Sequence, residues 1–314
     1  MAHLIDMSND RANMAYIGKT PWHSLGDSME EGASIDKWRK GAGMNWNAKK
    51  ADILFQPQGT MQQFKGQNVL YRDDTQAPLG LVADRYKVVQ PAQIIEFFRA
   101  ITEEHGYTME TAGCLDGGRK LWALAKGTEV VDLGKDKVKQ YFLLGTSYDR
   151  SLATFAMHTS VRVVCNNTLQ AALGTEGRIT IRHTAEFDQG KLMVEAGFID
   201  ATWQEFAANL ENLASKKATD KRAELIFREL LDAPKEETST RKENQVSNLM
   251  NLFKGAGMGA QLKSAKGTQW GVVNAVTQWV DHERGNNDNN RFREGQLGSG
   301  AKLKAQAFEL ALAA

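Results

Sequence analysis

The spacing of apolar and polar positions changes along the chain, and each change marks a different kind of element. Residues 1–43 show little periodicity and read as an N-terminal arm with one short helix. That helix is expected to begin after Ser34, an N-cap residue type, and to stop at Gly41–Gly43. Between Met44 and Val89 come short strand-forming runs at 53–55, 68–71 and 79–82, punctuated by Pro57, Gly66, Asp73, Asp74 and Pro78. Pro91 suits the first turn of a helix, Ile94, Phe97, Phe98 and Ile101 recur at helical spacing, and Gly106 ends it. Strands at 107–114, 120–125, 138–147 and 152–165 then read as an antiparallel meander, the first two joined by Asp116-Gly117-Gly118.

In the last of these strands the period of two separates two faces. Phe155, Met157, Thr159, Val161, Val163 and Cys165 form a core face, and Thr154, His158, Ser160 and Arg162 a polar one. The side chains of Asn166, Asn167 and Thr168 can cap a helix expected over 169–173, and a final strand is expected at 178–183. Beyond it the pattern predicts helices at 203–214, 223–231, 245–253, 268–282 and 301–313, with mobile loops at 232–243 and 285–300. The fold class is α+β: an antiparallel meander core with packed helices at 44–185, preceded by the arm at 1–43 and followed by a helical C-terminal region at 186–314.

Composition narrows the function classes. The 314 residues are 42% apolar, enough for a substantial core, and 39 Lys/Arg against 38 Asp/Glu leave a net charge of +1. That balance excludes a uniformly basic nucleic-acid coat, so a polyanion would have to be held by a local patch. No apolar run approaches a membrane span and the N-terminus lacks an apolar signal core, so the expectation is a soluble, unexported, cytoplasmic protein with no membrane partner. Two cysteines, Cys114 and Cys165, make no disulfide framework and suit a reducing compartment.

Signals for catalysis are absent from the sequence. Gly18-Lys19-Thr20 lacks the leading glycine of a phosphate loop, because Asn13 stands in its place. Gly255, Gly257 and Gly259 miss the dinucleotide spacing, and no two of the six histidines lie within five residues of each other. Cys165 falls on the core face of its strand. No catalytic residue, metal site or cofactor is therefore assigned.

Nucleic-acid binding has more to support it. Residues 251–314 hold 8 Lys/Arg against 5 Asp/Glu, and Arg284, Arg291 and Arg293 flank an Asn-rich loop with Phe292 between the last two. Arginine beside an aromatic ring can hold phosphate and stack on a base. A second patch is expected on one side of the sheet, from His158 and Arg162 on the polar face together with Arg150, Arg119 and Lys120. In the helix at 268–282, Trp270, Asn274, Gln278 and Asp281 share a stripe that can either face a ligand or bond to neighbouring elements.

Three segments, TPWHSLG at 20–26, VRVVCNNTL at 161–169 and GTQWGVVNAVTQWVDHERG at 267–285, resemble in order and separation the phage/plasmid-like protein family, whose function is unknown. The resemblance implies a mobile-element protein acting in a bacterial host cell. The helix–meander–helix order is also similar, in topology alone, to phage single-strand annealing proteins of the Red-beta kind. That similarity implies rings or filaments holding single-stranded DNA between sheet and helices. The leading expectation is thus an oligomeric single-strand binding and annealing protein of phage recombination, working with host or phage replication and recombination proteins. The alternatives are a structural or host-interaction (anti-defence) protein without catalytic activity, and a nucleic-acid-processing enzyme.

Overall fold

The computed structural model describes residues 5–18, 25–162, 168–170, 178–183, 188, 203–236, 239–284, 294–295 and 298–314, and of Ile101, Thr102, Arg162, Thr168, Leu169, Gln170 and Arg178 it describes the backbone alone. The fold is α+β, with an antiparallel meander and helices following it in the chain. The chain divides into two compact units, one of residues 1–127, 142–157 and 178–197, the other of 128–141, 158–177 and 198–314.

In the first unit the N-terminal residues are part of the sheet rather than an arm. Strand β1 (Met14–Ile17) pairs in parallel with β2 (Asp27–Met29) and antiparallel with β6 (Thr108–Leu115). Four residues of β1 are too few to announce a period, which is why the pattern gave no sign of it. Helix α1 (Ile35–Gly41) starts where expected, with Ser34 Oγ accepting the amide of Lys37. Helix α2 (Pro91–His105) ends at Gly106 in the left-handed conformation, and the Gln90 and Gln93 side chains close a reciprocal cap at its start. The meander continues with β7 (Lys120–Asp132), β8 (Lys137–Ser147) and β9 (Thr154–Arg162), in the spatial order β9-β8-β7-β6-β1-β2. Cys114 is buried and its thiol donates to the carbonyls of Ala42 and Gly43, so it acts as a small core residue, while Cys165 lies outside the described residues.

A separate three-stranded antiparallel sheet in the same unit has the order β3 (Ala48–Phe55), β4 (Gln62–Arg72), β5 (Pro78–Ala83). Its register pairs Lys49 with Tyr71, Ala51 with Val69 and, after a bulge, Ile53 with Phe64, while Val69 pairs with Leu81 on the third strand. Directly opposed residues share a face.

Where a helix was expected after Asn167, Thr168–Gln170 instead forms strand β10, antiparallel to β9. Three residues carry no periodicity, and here pairing with the edge of β9 overrides the capping tendency of the Asn-Asn-Thr run. Strand β11 (Arg178–Ile181) also pairs with β9.

The second unit holds the remaining helices. Residues 203–215 form α3, followed by α4 (Asp220–Leu230), α5 (Thr240–Asn251), α6 (Gln269–Gln278) and α7 (Ser299–Leu312). Helix α5 begins inside the stretch expected to be a loop, because Ser239 caps the amide of Lys242. Trp203, Phe206, Leu210 and Leu213 line one side of α3 and pack with Trp270, Val273 and Phe308. Every residue of α6 is buried, so its polar stripe is used internally. Asn274 donates to the Trp270 carbonyl at 2.7 Å, and Gln278 Oε1 accepts the Met258 amide at 2.7 Å. Asp136, fully buried, accepts from Ser264 Oγ at 2.7 Å and from the Trp270 indole at 3.2 Å.

Candidate nucleic-acid interface

The cations singled out on the meander are not gathered on one open face. Lys120 is buried and donates to Asp149 at 2.6 Å, with Asp116 3.9 Å away. Arg119 is half-exposed near Asp116, and Arg150 is exposed at the next turn with a positive φ of 64°. The two turns touch, since the Tyr148 amide donates to the Arg119 carbonyl at 2.8 Å.

His158 is buried, with Nδ1 3.3 Å from the Tyr141 carbonyl and its ring 6.0 Å from that of Trp203. Thr154 and Ser160 on the same face are buried too, so the polar row of β9 is covered rather than open. Covering both faces of a strand is a packing outcome that period two cannot signal. Arg162 belongs to β9 by its backbone. Arg284 lies over the Trp279 ring at 5.6 Å and donates to Ser299 Oγ at 3.2 Å, while Arg291 and Arg293 lie outside the described residues.

The Lys120–Asp149 pair has a measurable signature. Burial pushes the Asp149 carboxyl up, but hydrogen bonds from Lys120 and Ser151 outweigh it and bring it down to about 2. A carboxyl held below its ordinary 3.8 adds stability that is present above that value and lost as pH falls toward about 2. Asp149→Asn is expected to remove this part of the acid sensitivity, seen as a shallower fall in urea-unfolding midpoint between those two values. An unchanged acid limb would show that the pair contributes nothing.

A polar cleft of about 290 Å³ opens in the first unit, lined by Arg11, Asn13, Lys40, Trp46, Arg72 and Asp74. Its deepest member is Arg72, which is almost fully buried and binds Asp6 at 2.6 Å and Asp74 at 2.8 Å with its guanidinium 4.7 Å from the centre of the Trp46 ring. Burial pulls this guanidinium down, yet its hydrogen bonds to Asp74 and Asp6 hold it above its ordinary value. Asp6 shows the mirror image: burial raises it, and hydrogen bonds from Ser8, Arg72 and Asn13 together pull it lower. Arg11 is also engaged, through Asp27 at 3.0 Å and the Gly41 carbonyl at 2.9 Å. Arg72 is committed inside the protein and Arg11, though partly exposed, is tied to its neighbours, so the cleft is centred on a structural ion cluster.

The small sheet offers the more open surface. Its face made by Lys49, Ala51, Ile53, Phe55, Gln62, Phe64, Val69, Tyr71 and Leu81 contains no buried residue, and Phe55, Phe64 and Leu81 are 44, 48 and 50% exposed. The opposite face buries Ala48, Leu70, Arg72 and Val82, and behind it a Cβ on Gly80 would lie 2.6 Å from the Tyr148 carbonyl. Residues 53–64 hold no charged side chain, whereas 48–87 as a whole carry six Lys/Arg against four Asp. The run Ile53–Phe55 was legible as a strand, without a polar side, because Leu54 between them is apolar too. Its solvent exposure was not, because the usual inference takes the apolar side inward. Here the ion cluster around Arg72 decides which face turns in.

Among the described residues no group of three or more His, Cys, Asp or Glu side chains is placed to hold a metal, and no helix is long and apolar enough to cross a membrane. No curated protein and no solved structure matches the chain. Residues 78–307 match the model of a family described as a domain of unknown function (DUF932), and with most of its length so matched the chain belongs to that family.

Proposed function

We propose that the chain binds single-stranded DNA as an oligomer, with the open face of β3, β4 and β5 as a stacking platform. This would serve strand annealing in recombination or replication of a mobile element in the bacterial cytoplasm. The observation that carries the reading is the pair of exposed phenyl rings, Phe55 and Phe64, on a sheet face with Lys49 on it and Lys50 and Lys65 nearby. Bases stack on aromatic rings without regard to sequence, and lysines around the rings can follow the phosphates. Affinity drawn mainly from stacking needs few phosphate contacts, which fits a net charge of +1 and implies a shallow dependence on salt. Arg119 and Arg150, exposed cations on the turns that meet Tyr148 behind the sheet, would reach the backbone of a strand only where it passes around the sheet's edge.

The test is fluorescence anisotropy with a labelled oligothymidine strand and with duplex DNA, at two salt concentrations. The double variant Phe55→Ala/Phe64→Ala is expected to lose about tenfold or more in affinity for the single strand, while Phe55→Tyr/Phe64→Tyr retains it. Arg119→Ala/Arg150→Ala is expected to cost less and to flatten the salt dependence. Undiminished binding by the alanine pair, or no single-strand binding by the unaltered chain, would remove the reading. The charge-free stretch 53–64 also favours a second reading, a host-interaction protein, whose sign is a protein that co-purifies through Phe55 and Phe64 in the absence of DNA affinity.

A further inference from the structure

Strand β3 lies at the outer edge of its sheet, and its free backbone groups can be placed. The backbone N–H and C=O of Asn47 pair inward with Asp73, whereas those of Ala48 point outward, to the amide of the Gln90 side chain. Along an antiparallel strand these directions alternate, so Lys50, Asp52 and Leu54 also present their N–H and C=O groups outward. Gln90 closes the edge at Ala48, and beyond it none of the described residues pairs with the edge up to the tip.

From this edge we infer that the chain pairs with a second copy of itself, β3 against β3, antiparallel about a two-fold axis at Ala51. In this register Lys50 of each copy stands opposite Asp52 of the other, and both belong to the outward-pointing set that can exchange backbone hydrogen bonds. Charge selects the register. A two-fold at Asp52 would set Asp52 against Asp52, and a shift of one residue would oppose outward groups to inward ones.

Within the chain these charges are not matched to each other. Lys50 Nζ reaches the carbonyl of Asp84 at 2.8 Å, a neutral acceptor, and Asp52 has no ion-pair partner among the described residues. A surface repeated on both partners must be self-complementary, and adjacent opposite charges on one edge strand meet that condition. Two sheets of three strands would become one of six, with both open faces containing Phe55 and Phe64 on the same side. The inference deepens the oligomeric part of the proposed function and rests on that part alone, independent of any DNA.

The experiment is sedimentation velocity over a dilution series of the full chain without DNA. The unaltered chain is expected to show a monomer–dimer equilibrium. Lys50→Glu alone and Asp52→Lys alone should each raise the dissociation constant by about tenfold or more, because each sets like charges opposite one another twice. The combined Lys50→Glu/Asp52→Lys exchange should restore dimerisation. Both residues are exposed, and a thermal melt confirms that each variant folds. A chain that stays monomeric at every concentration, or single variants that dimerise as well as the unaltered chain, would overturn the inference. A charge exchange that fails to restore the dimer would overturn it too. Undiminished DNA binding in the phenylalanine-to-alanine variants with dimerisation intact would tell against the stacking platform alone.

Discussion

Arg72→Met is expected to cost about 3–5 kcal/mol of folding stability at neutral pH, which for a domain of ordinary stability approaches unfolding. The substitution keeps most of the apolar volume of the side chain and removes only the guanidinium. Asp6 is then a buried carboxylate that has lost the cation 2.6 Å from it and keeps hydrogen bonds from Ser8 and Asn13. Asp74 is less affected, since about a third of its side chain is in water.

The pH dependence gives the second half of the result. In the unaltered chain Asp6 is held below its ordinary 3.8, so its contribution is present above that value and declines as pH falls. Without the guanidinium, burial dominates and the Asp6 carboxyl rises. The variant can then fold with Asp6 protonated, and its deficit should shrink as the solution is acidified toward 3.8. Urea unfolding at neutral pH and near pH 4 measures both halves. A deficit below about 1 kcal/mol, the level of surface pairs, would show that the cluster is dispensable.

Asp281→Leu should have a comparable effect in the second unit, about 3 kcal/mol. Lys304, on α7, is completely buried, and its ammonium lies 2.8 Å from Asp281 Oδ1. Burial already outweighs this carboxylate and holds the Lys304 amine below its ordinary 10.5. Removing the carboxylate lowers it further, so the unfolded chain binds a proton that the folded variant sheds, and the variant's stability should rise as pH increases toward 10.5. Adding Lys304→Met should recover most of the loss, because an apolar pair of similar volume often replaces a buried ion pair without penalty. A double-mutant cycle measured by chemical denaturation separates these effects, and simple additivity of the two losses would show that the residues do not act as a pair.

How much of this was legible depends on the distance over which each signal acts. Ser34, Pro91 and Gly106 act on the turns next to them, and the helices α1 and α2 begin and end where those residues indicate. The four meander strands are long enough to display their period and are neighbours in the expected order. The two shortest strands joined from the N-terminus, and β10, are too short to do so.

The candidate interface was half legible. The strand at Ile53–Phe55 is visible in the residues, yet its open face is not, and Arg72 on the other face is held by Asp6, sixty-six residues away in the chain. The same holds for His158. Its place on a polar row was readable, and its burial against Trp203 was not, because 45 residues separate the two and no local pattern links them.

By itself, then, the sequence determined the local order of this protein: the α+β class, the ends of α1 and α2, the alternation within the four long meander strands and the near-balance of charge. Each of these follows from interactions within a few residues, where backbone sterics, capping and periodicity act. The tertiary structure alone decided which face of each strand meets solvent and which cations are committed. Desolvating a charge requires a partner brought from far along the chain, and only the folded arrangement shows whether Arg72, Lys120 and Lys304 find theirs. With those cations engaged inside, the proposed function rests on the open sheet face around Phe55 and Phe64.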